Sequence, residues 1–84
     1  MIIEIYGKPQ CNYCKLAIAL CEMRKLSYNY YQLDVDFTRD ELLEMFPNAQ
    51  TFPQIKVGGR SIGGYDKLGR YLEETNYNGT GMTL

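Results

Sequence analysis

The pattern of apolar and polar positions in the first half of the chain predicts a strand, a helix and a second strand. Residues 2–6 (Ile-Ile-Glu-Ile-Tyr) are rich in β-forming side chains and predict a buried strand that ends at Gly7. Apolar residues then recur every three or four positions from Asn12 to about Leu26, which is typical of an amphipathic helix. The buried face of this helix is expected to carry Cys14, Ala17, Ile18 and Cys21. Because residues 28–33 are aromatic-rich and predict another strand, the segment is expected to form a parallel βαβ unit with a right-handed crossover.

A short second helix is predicted in the middle of the chain. Residues 38–41 (Thr-Arg-Asp-Glu) match a capping box, in which Thr38 caps the helix and Glu41 reaches back to it. The helix is expected to stop at Pro47, which disfavours helical geometry in the residue before it. The residues expected to be buried on this helix are Leu42, Leu43 and Phe46.

The last third of the chain predicts a hairpin followed by a helix. Residues 54–57 alternate with period two, Gly58-Gly59 forms a two-residue turn, and residues 60–62 return as the partner strand. After the break at residues 63–64, Asp66 is expected to cap a final helix. The apolar face of that helix is expected to hold Leu68, Tyr71 and Leu72. The order β-α-β-α-β-β-α predicts an α/β fold, in which three helices flank one four-stranded mixed sheet.

Composition and charge narrow the class of protein. With 84 residues, the chain is expected to form one domain over residues 1–74, followed by a loosely ordered tail over residues 75–84. The net charge of −1 gives no reason to expect binding to nucleic acid or to an anionic membrane. No apolar run is long enough for a transmembrane helix, and the first residues lack the features of a signal peptide. We therefore expect a cytoplasmic monomer.

The candidate chemistry lies in residues 11–14 (Cys-Asn-Tyr-Cys), between the first strand and the first helix. Three cysteines do not suggest a secreted disulfide framework, and a Cys-x-x-Cys motif in a reducing compartment points to redox chemistry or metal binding. A structural zinc site usually takes four Cys or His ligands, whereas this chain has three Cys and no His. The lack of His also excludes Cys–His and Ser-His-Asp catalysis. A redox dithiol without metal is therefore favoured over a zinc site.

The three cysteines are expected to differ in role. Cys11 falls at the start of the first helix, where unpaired N–H groups and the positive end of the helix dipole favour an anion, and Lys8 and Lys15 add positive charge nearby. Cys14 lies one turn further in and is expected to be less exposed, in position to attack a mixed disulfide on Cys11. Cys21 is expected to be a small buried apolar residue.

Two further segments become informative about function when they are considered together with the dithiol. In residues 51–54 (Thr-Phe-Pro-Gln) a proline opens a strand, and in residues 63–66 (Gly-Gly-Tyr-Asp) paired glycines precede a helix whose first N–H groups suit a carboxylate. Each alone is also typical of an ordinary turn. In order with residues 8–14 (Lys-Pro-Gln-Cys-Asn-Tyr-Cys), they make residues 1–74 resemble the glutaredoxin family of the thioredoxin-like fold. The resemblance is to the small dithiol glutaredoxins of bacterial or bacteriophage type.

The resemblance implies a set of site residues. Cys11 would be the nucleophile and Cys14 the resolving thiol, while Pro53 would follow a cis peptide bond and face the dithiol. Phe52 would offer its backbone to the cysteinyl residue of the partner. Lys8 would meet the glycine carboxylate of glutathione. The full set of implied glutathione contacts is Lys8, Tyr13, Thr51, Phe52, Pro53, Gly64, Tyr65 and Asp66.

Three positions depart from the family pattern. Asn12 stands between the two cysteines where many dithiol members have Pro, Phe52 replaces the usual Val, and Gln50 stands where a basic residue is common. Asn12 bears on the reduction potential of the dithiol. Phe52 bears on the width of the groove that receives the partner. Gln50 predicts a weaker contact with glutathione.

The resemblance implies a glutathione-dependent thiol–disulfide oxidoreductase that reduces protein disulfides and glutathione mixed disulfides. Glutathione would be the reductant, and ribonucleotide reductase is a candidate protein client by family analogy. Two alternatives stay open: a dimer that binds a 2Fe-2S cluster through Cys11 and glutathione, and a thioredoxin-type protein disulfide reductase. Retention of Tyr13 and Cys14 favours the dithiol enzyme over the cluster-binding dimer, and the Gly-Gly-Tyr-Asp segment disfavours the thioredoxin-type reductase.

Overall fold

The seven predicted elements occur in the predicted order. The structure is a computed structural model, and it describes residues 2–75. The elements are β1 (Ile3–Gly7), α1 (Asn12–Met23), β2 (Tyr28–Gln32), α2 (Arg39–Met45), β3 (Gln54–Val57), β4 (Arg60–Gly63) and α3 (Tyr65–Thr75). Of the predicted tail, residues 76–84 lie outside the described residues. No helix within residues 2–75 is both long and apolar enough to cross a membrane.

The strands form one four-stranded mixed sheet in the order β2-β1-β3-β4, which confirms the predicted fold class. β1 runs parallel to β2, with Ile5 opposite Tyr30, and antiparallel to β3. β3 and β4 form the predicted hairpin around Gly58 and Gly59, whose φ values of 60° and 82° suit a tight two-residue turn. β1 is therefore an inner strand, and its carboxyl end leads directly to the dithiol.

Both faces of the sheet are covered by apolar side chains. Successive residues of a strand point to opposite faces, so Ile5 and Tyr6 of β1 belong to two different clusters. The cluster on the side of α1 and α3 contains Ile3, Ile5, Ala17, Cys21, Leu26, Ile55, Val57, Leu68 and Leu72. The cluster on the side of α2 contains Tyr6, Phe37, Leu42 and Phe46. Each fully buried aliphatic side chain contributes about 1.5–3 kcal/mol, and together they hold β1 and α1 in fixed relative positions.

The predicted end of α1 at Leu26 is wrong by three residues. The helix ends at Met23, and Lys25 adopts the left-handed conformation with φ of 57°. The backbone N–H of Leu26 donates to the carbonyl of Cys21 at 2.9 Å, and the N–H of Lys25 donates to that of Glu22 at 3.1 Å. These two bonds form a Schellman motif, which satisfies the last carbonyls and stops the helix even though a lysine, not a glycine, occupies the left-handed position.

In α2 the predicted capping box is confirmed, and one predicted core residue is wrong. The N–H of Glu41 donates to the Thr38 hydroxyl at 3.2 Å, while the Glu41 carboxylate accepts from the N–H of Thr38 at 2.8 Å. Leu42 and Phe46 are buried as expected. Leu43 is 41% exposed, because neighbouring residues of a helix differ by about 100° in direction and Leu42 takes the inward position.

Two other boundary predictions need correction. Asp66 does not cap α3, because the helix already begins at Tyr65 and its first intrahelical bond runs from the N–H of Leu68 to the carbonyl of Gly64 at 3.0 Å. Asp66 lies instead in the first turn. Ile2 is half exposed and outside β1, which continues through Gly7 instead of ending before it.

Candidate active site

Cys11 occupies the N-cap position of α1. Its φ and ψ of −103° and 112° are extended, and its Sγ accepts a hydrogen bond from the backbone N–H of Cys14 at 3.2 Å. Sulfur thus takes the place that a Ser, Thr, Asp or Asn oxygen usually fills at a helix start. The amide donor and the positive end of the helix dipole both stabilise negative charge on this sulfur. The predicted position of Cys11 at the helix start is confirmed.

Cys14 is the more deeply buried thiol of the pair. It is 2% exposed, compared with 8% for Cys11, as the sequence predicts. Burial, followed by the hydrogen bond with Cys11, raises the pKa of Cys14 to about 12, although Lys8 acts in the opposite direction. Cys14 is therefore a neutral thiol at neutral pH. The two cysteines have unequal environments, as a nucleophile and a resolving thiol require.

Cys21 is a core residue and lies away from the dithiol. It is fully buried in the cluster between α1 and the sheet, which confirms its prediction as a small apolar residue. Burial and the charge of Glu22 raise the pKa of its thiol to about 11. All three cysteines are in the free thiol form.

These environments predict selective alkylation of Cys11 by iodoacetamide at neutral pH. The thiolate is the reactive form, and with pKa values of about 12 and 11, Cys14 and Cys21 are ionised in fewer than about one molecule in a thousand at neutral pH. Peptide mass spectrometry after brief treatment is expected to find one label, on Cys11. All three cysteines should be labelled once the protein is unfolded in guanidinium. Equal labelling of Cys11 and Cys14 in the folded protein would contradict the assigned asymmetry.

The loop before β3 lies against the dithiol. The Phe52–Pro53 peptide bond is cis, as the resemblance implies, and the Cys11 thiol donates to the carbonyl of Phe52 at 3.9 Å. The Lys8 ammonium lies 5.6 Å from the centre of the Phe52 ring, within range of a cation–π interaction. Gln54 anchors the loop by donating from its side-chain amide to the carbonyl of Thr51 at 2.7 Å. The backbone of Phe52 is thereby placed next to Cys11 Sγ.

A cleft of about 350 Å³ opens beside this loop. Its walls come from the start of α1, the loop before β3 and the start of α3, with the rings of Tyr13 and Tyr65 6.0 Å apart. The lining residues are Tyr13, Thr51, Phe52, Pro53, Gly64, Tyr65 and Asp66. The remaining predicted contact, Lys8, does not line the cleft itself, but its ammonium lies over the ring of Phe52, which does. The structure thus brings all the predicted site residues together, while the role of each in binding stays a prediction.

Two residues beside the dithiol were not singled out by the sequence. Gly7 ends β1, and a Cβ atom placed on it would lie 2.9 Å from Cys14 Sγ and 2.8 Å from Cε1 of Tyr30. Such distances are too short for real atoms, so only glycine allows both side chains to pack here. In the sequence Gly7 marks the end of the first strand, and Tyr30 is one of several aromatic residues in the second. The only signal for a special role was a glycine at the end of an apolar strand just before a Cys-x-x-Cys motif.

Comparison with known proteins agrees with this site. The family model described as Glutaredoxin matches residues 3–62. Glutaredoxin 3 of Escherichia coli strain K12 is 33% identical over 66 residues, which cover 79% of this chain and 80% of that protein. The solution structure of glutaredoxin from Brucella melitensis has 30% identity and a TM-score of 0.71, covering 100% of this chain and 95% of that one. The crystal structure of a buckwheat glutaredoxin–glutathione complex shares the fold, with a TM-score of 0.73 at 24% identity over 86% of this chain and 68% of that chain.

These matches extend over most of the chain and include the dithiol at the start of α1. The sheet order, the three helices and the cis-proline loop are consistent with them. This protein belongs to the glutaredoxin family and is a thiol–disulfide oxidoreductase.

Proposed function

We propose that this protein is a glutathione-dependent reductase of protein disulfides and of glutathione mixed disulfides. The observation that carries the proposal is the cleft beside Cys11, because its groups are complementary to the parts of glutathione. Its volume of about 350 Å³ lies within the range of about 300–1,000 Å³ for small-molecule sites. The Phe52 carbonyl, which contacts Cys11, is where the backbone of a cysteinyl residue would pair as an added strand.

Charge supports glutathione as the occupant. Glutathione carries a carboxylate at its glycine end, and a carboxylate with an ammonium group at its γ-glutamyl end. We assign the glycine carboxylate to Lys8, whose ammonium is held beside the cleft over the Phe52 ring. At the other end, the first N–H groups of α3 suit the γ-glutamyl carboxylate, and Asp66 suits the ammonium. Thr51, Gly64 and Tyr65 complete the cleft wall between these two charged ends.

The first half of the reaction would be carried by Cys11. Its thiolate attacks one sulfur of the client disulfide, a new bond forms to Cys11 Sγ, and the other client sulfur leaves with the electron pair and takes up a proton. The amide of Cys14, 3.2 Å from this sulfur, stabilises the charge on Cys11 both as attacking and as leaving group. The product is a mixed disulfide on Cys11.

The second half would require Cys14 when the client is a protein. Cys14 attacks Cys11 Sγ, releases the reduced client and closes the Cys11–Cys14 disulfide. Two molecules of glutathione then restore the dithiol, the first by forming a mixed disulfide on Cys11 and the second by releasing it as oxidised glutathione. When the client is a glutathione mixed disulfide, Cys11 alone suffices. We place this activity in the reducing cytoplasm, with ribonucleotide reductase as a candidate client by family analogy.

The choice of reductant tests the proposal. The purified protein is oxidised to the Cys11–Cys14 disulfide and then mixed either with glutathione, glutathione reductase and NADPH, or with thioredoxin reductase and NADPH. We expect rapid recovery of two thiols with glutathione, and recovery at least about tenfold slower with thioredoxin reductase, because the cleft suits a tripeptide. Recovery only with thioredoxin reductase would overturn the proposal and favour the thioredoxin-type alternative.

A further inference from the structure

Three side-chain atoms lie close to Gly7, on the side of its Cα where another residue would carry a Cβ. Measured from the point where a Cβ would lie, Cys14 Sγ is at 2.9 Å, Cε1 of Tyr30 at 2.8 Å and the Tyr30 hydroxyl oxygen at 3.0 Å. The resolving sulfur and a phenol hydroxyl therefore border the same space, which is too small to hold even one methyl group. Tyr30 pairs with Ile5, two residues before Gly7 and on the same face of β1, and its ring reaches along the sheet to Gly7.

The Tyr30 hydroxyl is available to act as a donor. Tyr30 is half-buried, and within residues 2–75 its hydroxyl makes no hydrogen bond. Burial, then the charges of Cys14, Cys11 and Asp36, raise the pKa of Tyr30, so the phenol keeps its proton at neutral pH. The charged or titratable groups that face this pair are Cys11 and Lys8 near Cys14, and Asp36 near Tyr30.

The resolving step creates a need for such a donor. Cys14 must attack as a thiolate, yet it is 2% exposed, and burial raises its pKa to about 12 even though the backbone N–H and the charge of Lys8 act to lower it. The chain contains no histidine that could assist. A hydrogen bond to a charged group is stronger than one between neutral groups, so a phenol donor would favour the thiolate over the thiol.

We propose that the Tyr30 hydroxyl donates a hydrogen bond to Cys14 Sγ when this sulfur becomes a thiolate and attacks the mixed disulfide on Cys11. Because Gly7 has no side chain, the hydroxyl can approach the sulfur. In this step a bond forms between Cys14 Sγ and Cys11 Sγ, and the bond from Cys11 Sγ to the client sulfur breaks. The client sulfur leaves with the electron pair and takes up a proton, which balances the one that Cys14 gave to solvent. The inference deepens the proposed function and rests on its dithiol route.

The test compares Tyr30→Phe with Tyr28→Phe as a matched control. Tyr28 lies on the same strand and the same face, is half-buried, and its hydroxyl donates to Glu22 at 2.9 Å instead of facing the dithiol. Each variant is prepared as the Cys11–glutathione mixed disulfide in acid and raised to a series of higher pH values by rapid mixing. The measured quantity is the rate at which Cys14 releases glutathione.

We expect Tyr30→Phe to slow the release of glutathione about fivefold at neutral pH and to shift the pH profile of the rate to higher pH. The reason is that the thiolate of Cys14 loses its hydrogen-bond donor. Tyr28→Phe should match the wild type. In the Cys14→Ser background, adding the Tyr30→Phe substitution should leave the reduction of a glutathione mixed disulfide unchanged, since only Cys11 acts there. A rate and pH profile of Tyr30→Phe equal to those of the wild type would overturn the inference.

A second variant tests the role of Gly7. In Gly7→Ala the new methyl group must displace the Tyr30 ring or Cys14 Sγ, so glutathione release should slow by about fivefold or more, while the Cys11-only reaction persists. Unchanged release in Gly7→Ala would show that the gap is not needed. Failure of the wild type to reduce any glutathione mixed disulfide would contradict the proposed function itself, which is a separate outcome from a silent Tyr30→Phe substitution.

Discussion

Replacing Cys11 with Ser is expected to abolish every disulfide-reducing activity of this protein, whereas replacing Cys14 with Ser is expected to abolish only the reduction of protein disulfides. The N-cap position and the donor amide at 3.2 Å act on the Cys11 sulfur alone. A serine hydroxyl with no general base beside it is not ionised near neutral pH, so the loss in Cys11→Ser should be at least about a thousandfold. In the proposed function, Cys14 is needed only to resolve a mixed disulfide with a protein.

The measurement uses two substrates, a glutathionylated peptide and a protein with an intramolecular disulfide, with glutathione and glutathione reductase as the reducing system. Cys14→Ser should keep the first reaction and lose the second. Cys21→Ala is the control, because it removes the third thiol from the core without touching the dithiol, and it should keep both reactions. Activity of Cys11→Ser with either substrate would refute the assignment of the nucleophile.

The fold was predictable where the information is local. β-forming and aromatic composition predicted β1 and β2, periodic patterns predicted α1, β3, β4 and α3, and the capping box at Thr38 and Glu41 located the start of α2. The ends were less predictable, because they depend on competing backbone bonds. The Schellman motif at Lys25 stops α1 while the apolar pattern continues to Leu26. The hydrogen bond to the carbonyl of Gly64 starts α3 at Tyr65, two residues earlier than a cap at Asp66 would.

The site residues also divide into those that the local sequence predicts and those that depend on contacts between distant segments. The position of Cys11 at a helix start follows from the local sequence, since a strand, a short turn and an amphipathic pattern surround it. The gathering of Thr51, Gly64 and Asp66 around one cleft was implied only by the resemblance, because they lie on segments far from the dithiol in sequence. The position of Tyr30 beside Gly7, where Cys14 Sγ also lies, is not predicted by the sequence. It depends on the register of β2 against β1, which no pattern in either strand specifies.

Replacing Asp66 with Ala is expected to raise the KM for a glutathione mixed disulfide about tenfold and to leave kcat nearly unchanged. Asp66 lies on the wall of the cleft in the first turn of α3, where it is assigned the γ-glutamyl ammonium. An exposed ion pair contributes about 0.2–1 kcal/mol, and a charge-assisted hydrogen bond sheltered by the ligand somewhat more, so about 1.4 kcal/mol, or tenfold, is the expected scale. Because Asp66 acts on binding and not on the sulfurs, the loss should appear in KM.

Asp40→Ala is the matched control for this prediction. Asp40 is the second residue of α2, as Asp66 is of α3, so both substitutions remove one negative charge from the first turn of a helix and weaken its dipole interaction equally. Only Asp66 borders the cleft, so Asp40→Ala should keep the wild-type KM. The penalty in Asp66→Ala should also vanish for a mixed disulfide with 2-mercaptoethanol, which has no ammonium group. An equal penalty for that substrate would mean that Asp66 supports the structure of the cleft and does not recognise the γ-glutamyl end of glutathione.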